Sequence, residues 1–147
     1  MSIFDKQRLD NSTFKLDIDR MRKGWYTDKY FVNIVQVLTK LAQQKYIYQG
    51  DSHDLPQGMS SEDIQVGDIE VEMQWFTRRK GTTVIVGVDK ALEMLRYCSG
   101  TWEGENFVES WDKLEVWAVQ DGDIVNYNGE PRKVQPVIKI RGRYRDF

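Results

Sequence analysis

Within the stretch WYTDKYF, Tyr26, Asp28 and Tyr30 stand at alternate positions, two phenols around one carboxylate. A tyrosine ring can stack on a flat aromatic ligand while an acid beside it accepts from ring N–H groups. The commoner role of such a trio is an N-cap among core aromatics, with Asp28 or Thr27 as the cap. A second group is Arg78, Arg79 and Lys80, just before Gly81. The planar fork of arginine donates in pairs and suits a phosphate ester. Without a ligand the same three residues are a solvated loop tip. The third group is KIRGRYR, where Lys139, Arg141, Arg143 and Arg145 alternate and share one face of a strand. That face is solvated, or it meets nucleic acid or an acidic partner.

Other chemistries find no residues. The single histidine, His53, lies in the polar loop GDSHDLPQGM, and the single cysteine, Cys98, closes an apolar helix stripe. An internal disulfide and a Cys/His zinc site are therefore not expected. VIVGVDKAL has a glycine before a helix but neither GxGxxG nor GKS/T. Glu70/Glu72 and Glu103/Glu105 are too close in sequence and too exposed by pattern for paired acid–base work. No catalytic residue and no metal ligand is assigned. The residue types support a soluble α+β domain with a capacity for anions.

The elements that must position these groups follow from periodicity. DIDRMRKG reads as a short helical turn stopped by Gly24. A second helix begins near Asp28; Ile34, Val37, Leu38, Leu41 and Ala42 mark its buried stripe, and Gly50 is its stop. Residues 51–67 read as a loop. Ile69, Val71, Met73 and Trp75 then alternate with Glu70, Glu72 and Gln74, the pattern of a half-buried strand. TTVIVGV is a second strand, and DKALEMLRYCSG a helix with Asp89 as N-cap and Ala91, Leu92, Leu95 and Cys98 as its stripe. Residues 101–113 read as loop or short helix. KLEVWAVQ alternates as a strand, and the DG at 121–122 and NG at 128–129 signal hairpins. VQPVIKIRGRY is the last strand, at a sheet edge or starting after Pro136.

Length and composition bound the class. A chain of 147 residues, 40% hydrophobic and 30% charged, suits one domain with one sizeable core. It has no long apolar run, and MSIFDKQRLDN lacks a signal-peptide core, so a cytoplasmic protein is expected. Charge is uneven: +4 over residues 1–50, −11 over 51–131 and +5 over 132–147. The basic ends could meet an anionic ligand, or the acidic middle of a second copy.

Three segments in order resemble the nicotinate phosphoribosyltransferase family. MRKGWYTDKYF is similar to its opening Gly–aromatic–Tyr-Ser/Thr-Asp-x-Tyr motif. MQWFTRRKGTTVIVGVDKALEML looks like its next segment, a Phe and one or two Arg before an apolar strand, a Gly and a helix. DGDIVNYNGEPRKVQPVIKIRGRYRDF is similar to the strands that reach GxYxxF before the catalytic domain. The resemblance implies a hammerhead-like α+β N-terminal domain of the type II phosphoribosyltransferases, with helices packed on a mostly antiparallel sheet. Residues 1–147 would be one substrate and dimerisation domain, and the catalytic α/β barrel would be absent from the chain.

The resemblance also implies an activity. The full enzymes join nicotinate to phosphoribosyl pyrophosphate to give nicotinate mononucleotide in NAD salvage, usually with ATP hydrolysis. Nicotinamide and quinolinate enzymes share the architecture. By motif, Tyr30 matches the ring that stacks on the pyridine and Asp28 the acid beside it. Arg79 matches the arginine that reaches a substrate phosphate, with Arg78 as the alternative register. Magnesium and ATP are implied for the full-length enzyme, and no cofactor for this chain. A homodimer is implied, each barrel completed by the partner's N-terminal domain, and neither membrane nor nucleic acid is an expected partner. Alone, the chain is not expected to catalyse. It should expose apolar patches around its last strands and associate with rising concentration. The other reading is a small binding module whose basic C-terminal strand takes nucleic acid or an acidic protein.

Overall fold

The computed structural model describes residues 8, 9 and 11–147. MSIFDKQ and Asp10, part of the stretch read as free of a signal peptide, lie outside the described residues. The architecture is α+β, with helices packed against antiparallel strands.

Helix α1 (Ile18–Arg22) opens at Asp17, whose carboxylate accepts from the Arg20 N–H at 3.3 Å. Gly24 closes it at φ +77°. A side chain there would strain the backbone, and its Cβ would come within 2.7 Å of Val32 Cγ2. The glycine therefore lets the chain fold back tightly on helix α2 (Lys29–Gln43). In α2 only Leu38 of the expected stripe is fully buried, and Val37 is 57% exposed. The elements packed on α2 are the turns Val66–Asp68 and Tyr144–Asp146, which leave Val37 on an uncovered flank. The helix does not run to Gly50. It stops at Gln43, where Lys45 turns left-handed at φ 50°. The Tyr46 N–H then reaches Leu41 O and the Lys45 N–H reaches Ala42 O, a pair of bonds that satisfies the helix's last carbonyls.

The main sheet has the order β1 (Glu70–Phe76), β7 (Pro136–Arg143), β5 (Glu115–Ala118), all antiparallel. The alternation expected for β1 is observed. The last strand is central rather than at an edge. Pro136 is its first residue, opposite a register shift between Trp75 and Phe76, so its missing N–H interrupts no regular ladder. β2 (Gly81–Val84) pairs with β6 (Ile124–Tyr127). β2 is shorter than TTVIVGV, because the chain turns at Gly87 to enter helix α3 (Val88–Cys98).

Gly87, not Asp89, holds the N-cap position of α3. The cap carboxylate comes from Asp121, which accepts from the Val88 N–H at 2.9 Å and the Asp89 N–H at 3.2 Å. Asp89 instead binds Arg8. Of residues 101–113, expected as loop or short helix, Trp111–Lys113 is a short helical turn, but the chain before it forms a hairpin of β3 (Gly100–Glu103) and β4 (Asn106–Glu109). The DG and NG turns do form, but the strands they connect pair elsewhere, so neither is a hairpin. The core gathers Leu38, Val88, Leu92, Val125 and Ile140. No helix among the described residues is long and apolar enough to cross a membrane.

Candidate functional site

The α1–α2 turn presents WYTDKYF outward. Asp28 holds the N-cap position of α2 with φ −65° and ψ 138°, yet its carboxylate makes no cap hydrogen bond. It is exposed, with its oxygens open to a ligand. Tyr30 is 55% exposed and leans on Phe31, with ring centroids 4.2 Å apart and planes tilted by 35°. That contact limits the ring's freedom, and more than half of the residue stays open to solvent. The Tyr26 hydroxyl donates to Asp17 Oδ2 at 3.1 Å. The Arg20 guanidinium stands 5.5 Å from the Trp25 ring centre. Trp25, one of the aromatics that flank the Asp28 cap, is 69% exposed rather than core. Among the described residues its one ring partner is the Arg20 guanidinium.

Arg78 and Arg79 lie in the segment between β1 and β2, and both are exposed. Arg78 reaches back over the Phe76 ring at 5.9 Å. The Arg79 N–H donates to Thr77 Oγ1 at 3.2 Å, which shapes the turn. Among the described residues no hydrogen bond, ion pair or ring contact joins this pair to Asp28 and Tyr30. None of the four lines the open groove of about 890 Å³ beside α2, though sequence neighbours of both pairs do. Phe31, next to Tyr30, lines it, and so does Trp75, at the end of β1 that leads to Arg78. Ile34, Val35, Met73 and Phe147 add to its apolar wall.

Arg22 fixes the far wall. Its Nε donates to Tyr97 O at 2.7 Å, its Nη2 meets Glu109 Oε1 at 2.5 Å, and its guanidinium lies 4.4 Å from the Phe107 ring centre. Cys98 also lines the groove. Burial pushes its thiol pKa up, and the charge of Arg22 offsets this only in part. The thiol is thus a weak nucleophile at neutral pH.

The basic C-terminal strand is neutralised at home. Lys139 Nζ is 3.6 Å from Glu72, and Arg141 stands in register between Glu72 and Glu115. Arg143 binds Asp146 at 2.8 Å and Asp68 at 3.1 Å, and Arg145 binds Asp68 at 2.8 Å. The Arg145 hydrogen bond, against the opposing effect of burial, holds the Asp68 carboxyl below its ordinary range. The charges read as a possible nucleic-acid face are therefore largely engaged with carboxylates of the same chain.

Among the described residues no three His, Cys, Asp or Glu side chains gather as metal ligands. No family model, curated protein or solved structure matches the chain. Sequence reasoning passed over one functional candidate, Arg132, whose segment is brought beside that of Arg78 and Arg79 only through the pairing of distant strands. The PRK triplet after the NG turn was its one local signal.

Proposed function

We propose that this chain is the N-terminal substrate domain of a nicotinate phosphoribosyltransferase-like enzyme, with the hammerhead-like fold of that class. It lends Tyr30, Asp28 and Arg79 to an active site that a catalytic barrel, in a homodimer, completes. The observation that carries this reading is the state of the α2 N-terminus. A carboxylate in the N-cap position is left unused as a cap, near a tyrosine ring that leans on Phe31 and is more than half exposed. Capping is worth about 1 kcal/mol, so a chain that forgoes it has another use for the acid.

The division of labour follows from these groups. Tyr30 stacks on the pyridine ring and sets its plane. Asp28 accepts from a polarised C–H or N–H at the ring edge. Arg79, or Arg78 in the alternative register, donates to a phosphate of the second substrate. None of them forms or breaks a bond. Their contribution to displacement at the ribose carbon is orientation and charge complementarity. Magnesium, when the whole enzyme binds it, supplies charge to the pyrophosphate leaving group.

The surface supports a role inside a larger assembly. Of five tryptophans, Trp25, Trp75, Trp102 and Trp117 are each at least 43% exposed, far more than a self-sufficient core leaves out. The test is conversion of labelled nicotinate and phosphoribosyl pyrophosphate to nicotinate mononucleotide by the protein in which this chain occurs. Tyr30→Ala should raise the nicotinate KM about tenfold, the worth of one stacked ring. Arg79→Ala should raise the KM for phosphoribosyl pyrophosphate and leave that for nicotinate nearly unchanged. Unaltered kinetics in both variants would sink the assignment.

A further inference from the structure

Most arginines of this chain meet one of its own carboxylates. Arg8 lies 2.8 Å from Asp89, Arg20 3.3 Å from Asp17, Arg22 2.5 Å from Glu109 and Arg96 3.8 Å from Glu93. Arg143 and Arg145 share Asp68, and Arg141 is flanked by Glu72 and Glu115. Among the described residues Arg78, Arg79, Arg132 and Arg141 form no ion pair, and of these four only Arg141 has carboxylates in register beside it. In a chain that carries net charge −2, with its acid surplus in residues 51–131, that separation is selective.

Strand pairing brings the other three to one end of the molecule. Phe76, at the end of β1, is in register with Pro136, at the start of β7. Gly81, at the start of β2, is in register with Tyr127, at the end of β6. The segments 77–80 and 128–135 therefore leave the sheets side by side. Their contact is direct, because the Lys80 side chain lies across Gly129, where a Cβ would run into Lys80 Cε. Gly129 has φ +95°, so its lack of a side chain serves both the turn and this close approach. Each segment is braced from within. The Arg79 N–H bonds Thr77 Oγ1 at 3.2 Å, and the Glu130 N–H bonds Asn128 Oδ1 at 2.8 Å. Lys133 is occupied by Glu130 at 2.9 Å, which leaves Arg132 as the second segment's available cation.

We propose that the two segments form one cradle for a pyrophosphate group, in which Lys80 and Arg132 join Arg78 and Arg79. The proposal deepens the phosphoribosyltransferase reading, since phosphoribosyl pyrophosphate carries such a group, and it rests on that reading for the ligand's identity. Four cations from two adjoining segments suit a compact, highly charged anion. A nucleic-acid strand needs cations spaced along its backbone. Here the basic surface stops at the sheet, where Lys139 and Arg141 already face Glu72 and Glu115.

The experiment is calorimetric titration of the 147-residue chain with inorganic pyrophosphate, with inorganic phosphate and with single-stranded RNA. Pyrophosphate should bind at least about tenfold more tightly than phosphate, as paired charge-assisted bonds require. Arg132→Ala and Lys80→Ala should each weaken it by about tenfold, with urea midpoints unchanged, and Lys40→Ala should not weaken it. Lys80→Arg should retain binding. The proposal is overturned if Arg79→Ala weakens binding while Arg132→Ala does not, if RNA competes as well as pyrophosphate, or if millimolar pyrophosphate does not bind. Pyrophosphate binding with the expected variant pattern but no nicotinate mononucleotide formation would remove the enzyme assignment and leave the cradle standing.

Discussion

Replacing Arg8 by alanine should be among the most damaging single changes outside the core. The Arg8 side chain is 4% exposed and that of Asp89 is 7%, with Nη1 and Oδ1 2.8 Å apart. Nη2 of Arg8 also donates to Val119 O at 3.0 Å and to Ala118 O at 3.3 Å. The second oxygen of Asp89 accepts the Leu9 N–H at 2.9 Å. The pair thus ties the N-terminal segment to both α3 and the end of β5. Removal of Arg8 leaves a buried carboxylate with one neutral donor and two carbonyls without their guanidinium, at a cost of about 3–5 kcal/mol. Typical domain stabilities are about 5–15 kcal/mol, so the variant should be visibly marginal. With a urea slope of about 2 kcal/mol/M, the midpoint of tryptophan-monitored unfolding should fall by about 2 M. The double variant Arg8→Met with Asp89→Leu should recover most of this, since an apolar pair carries no desolvation penalty. A midpoint shift below about 0.5 M for Arg8→Ala, at unchanged slope, would refute the buried pair and the docking it implies.

Two further outcomes follow from side chains that act across the sequence. Asp121→Ala should lower stability by about 1–2 kcal/mol in urea titration, because it uncaps both the Val88 and Asp89 N–H groups at the start of α3. A loss within experimental error would mean that water caps the helix equally well. Asp68 has a folded-state pKa lowered from 3.8, chiefly by the Arg145 hydrogen bond. Its ion pairs therefore stabilise the fold above that value, and the contribution is lost as the pH falls through the lowered pKa. Urea midpoints should drop as the pH falls below about 4, and Asp68→Asn should shrink the drop. Equal drops in both proteins would rule out Asp68 as a source.

Local patterns were legible and distant pairings were not. The alternation from Ile69 to Trp75 predicted β1, and Gly24 predicted the end of α1, because each depends on neighbours in sequence. The DG and NG pairs signal hairpins, and the chain bends at both, but turn chemistry does not choose a strand's partner and the flanking strands pair elsewhere. The β3–β4 hairpin escaped notice because its turn at Gly104 lacks an NG or DG signature. Asp89 looked like an N-cap only because Asp121, which does the capping, is remote in sequence. The same limit applies to the candidate site. Asp28, Tyr30, Arg78 and Arg79 could be proposed from their types and order. The exposure of Trp25 and the approach of Arg132 depend on how the chain folds back, and periodicity carries no record of that.

The place of β7 has a consequence for how the molecule comes into being. β1 and β5 touch only through β7, and β7 is the last strand of the described chain. During synthesis, residues 70–76 must wait for residues 136–143 before they gain their ladder. Until then the Met73 and Trp75 stripe and an unpaired strand edge stand open together, which is the condition under which nascent chains stick to one another. Closure of this sheet is therefore a single late event with long-range contacts, the slow kind of folding step, and it commits both flanking strands at once.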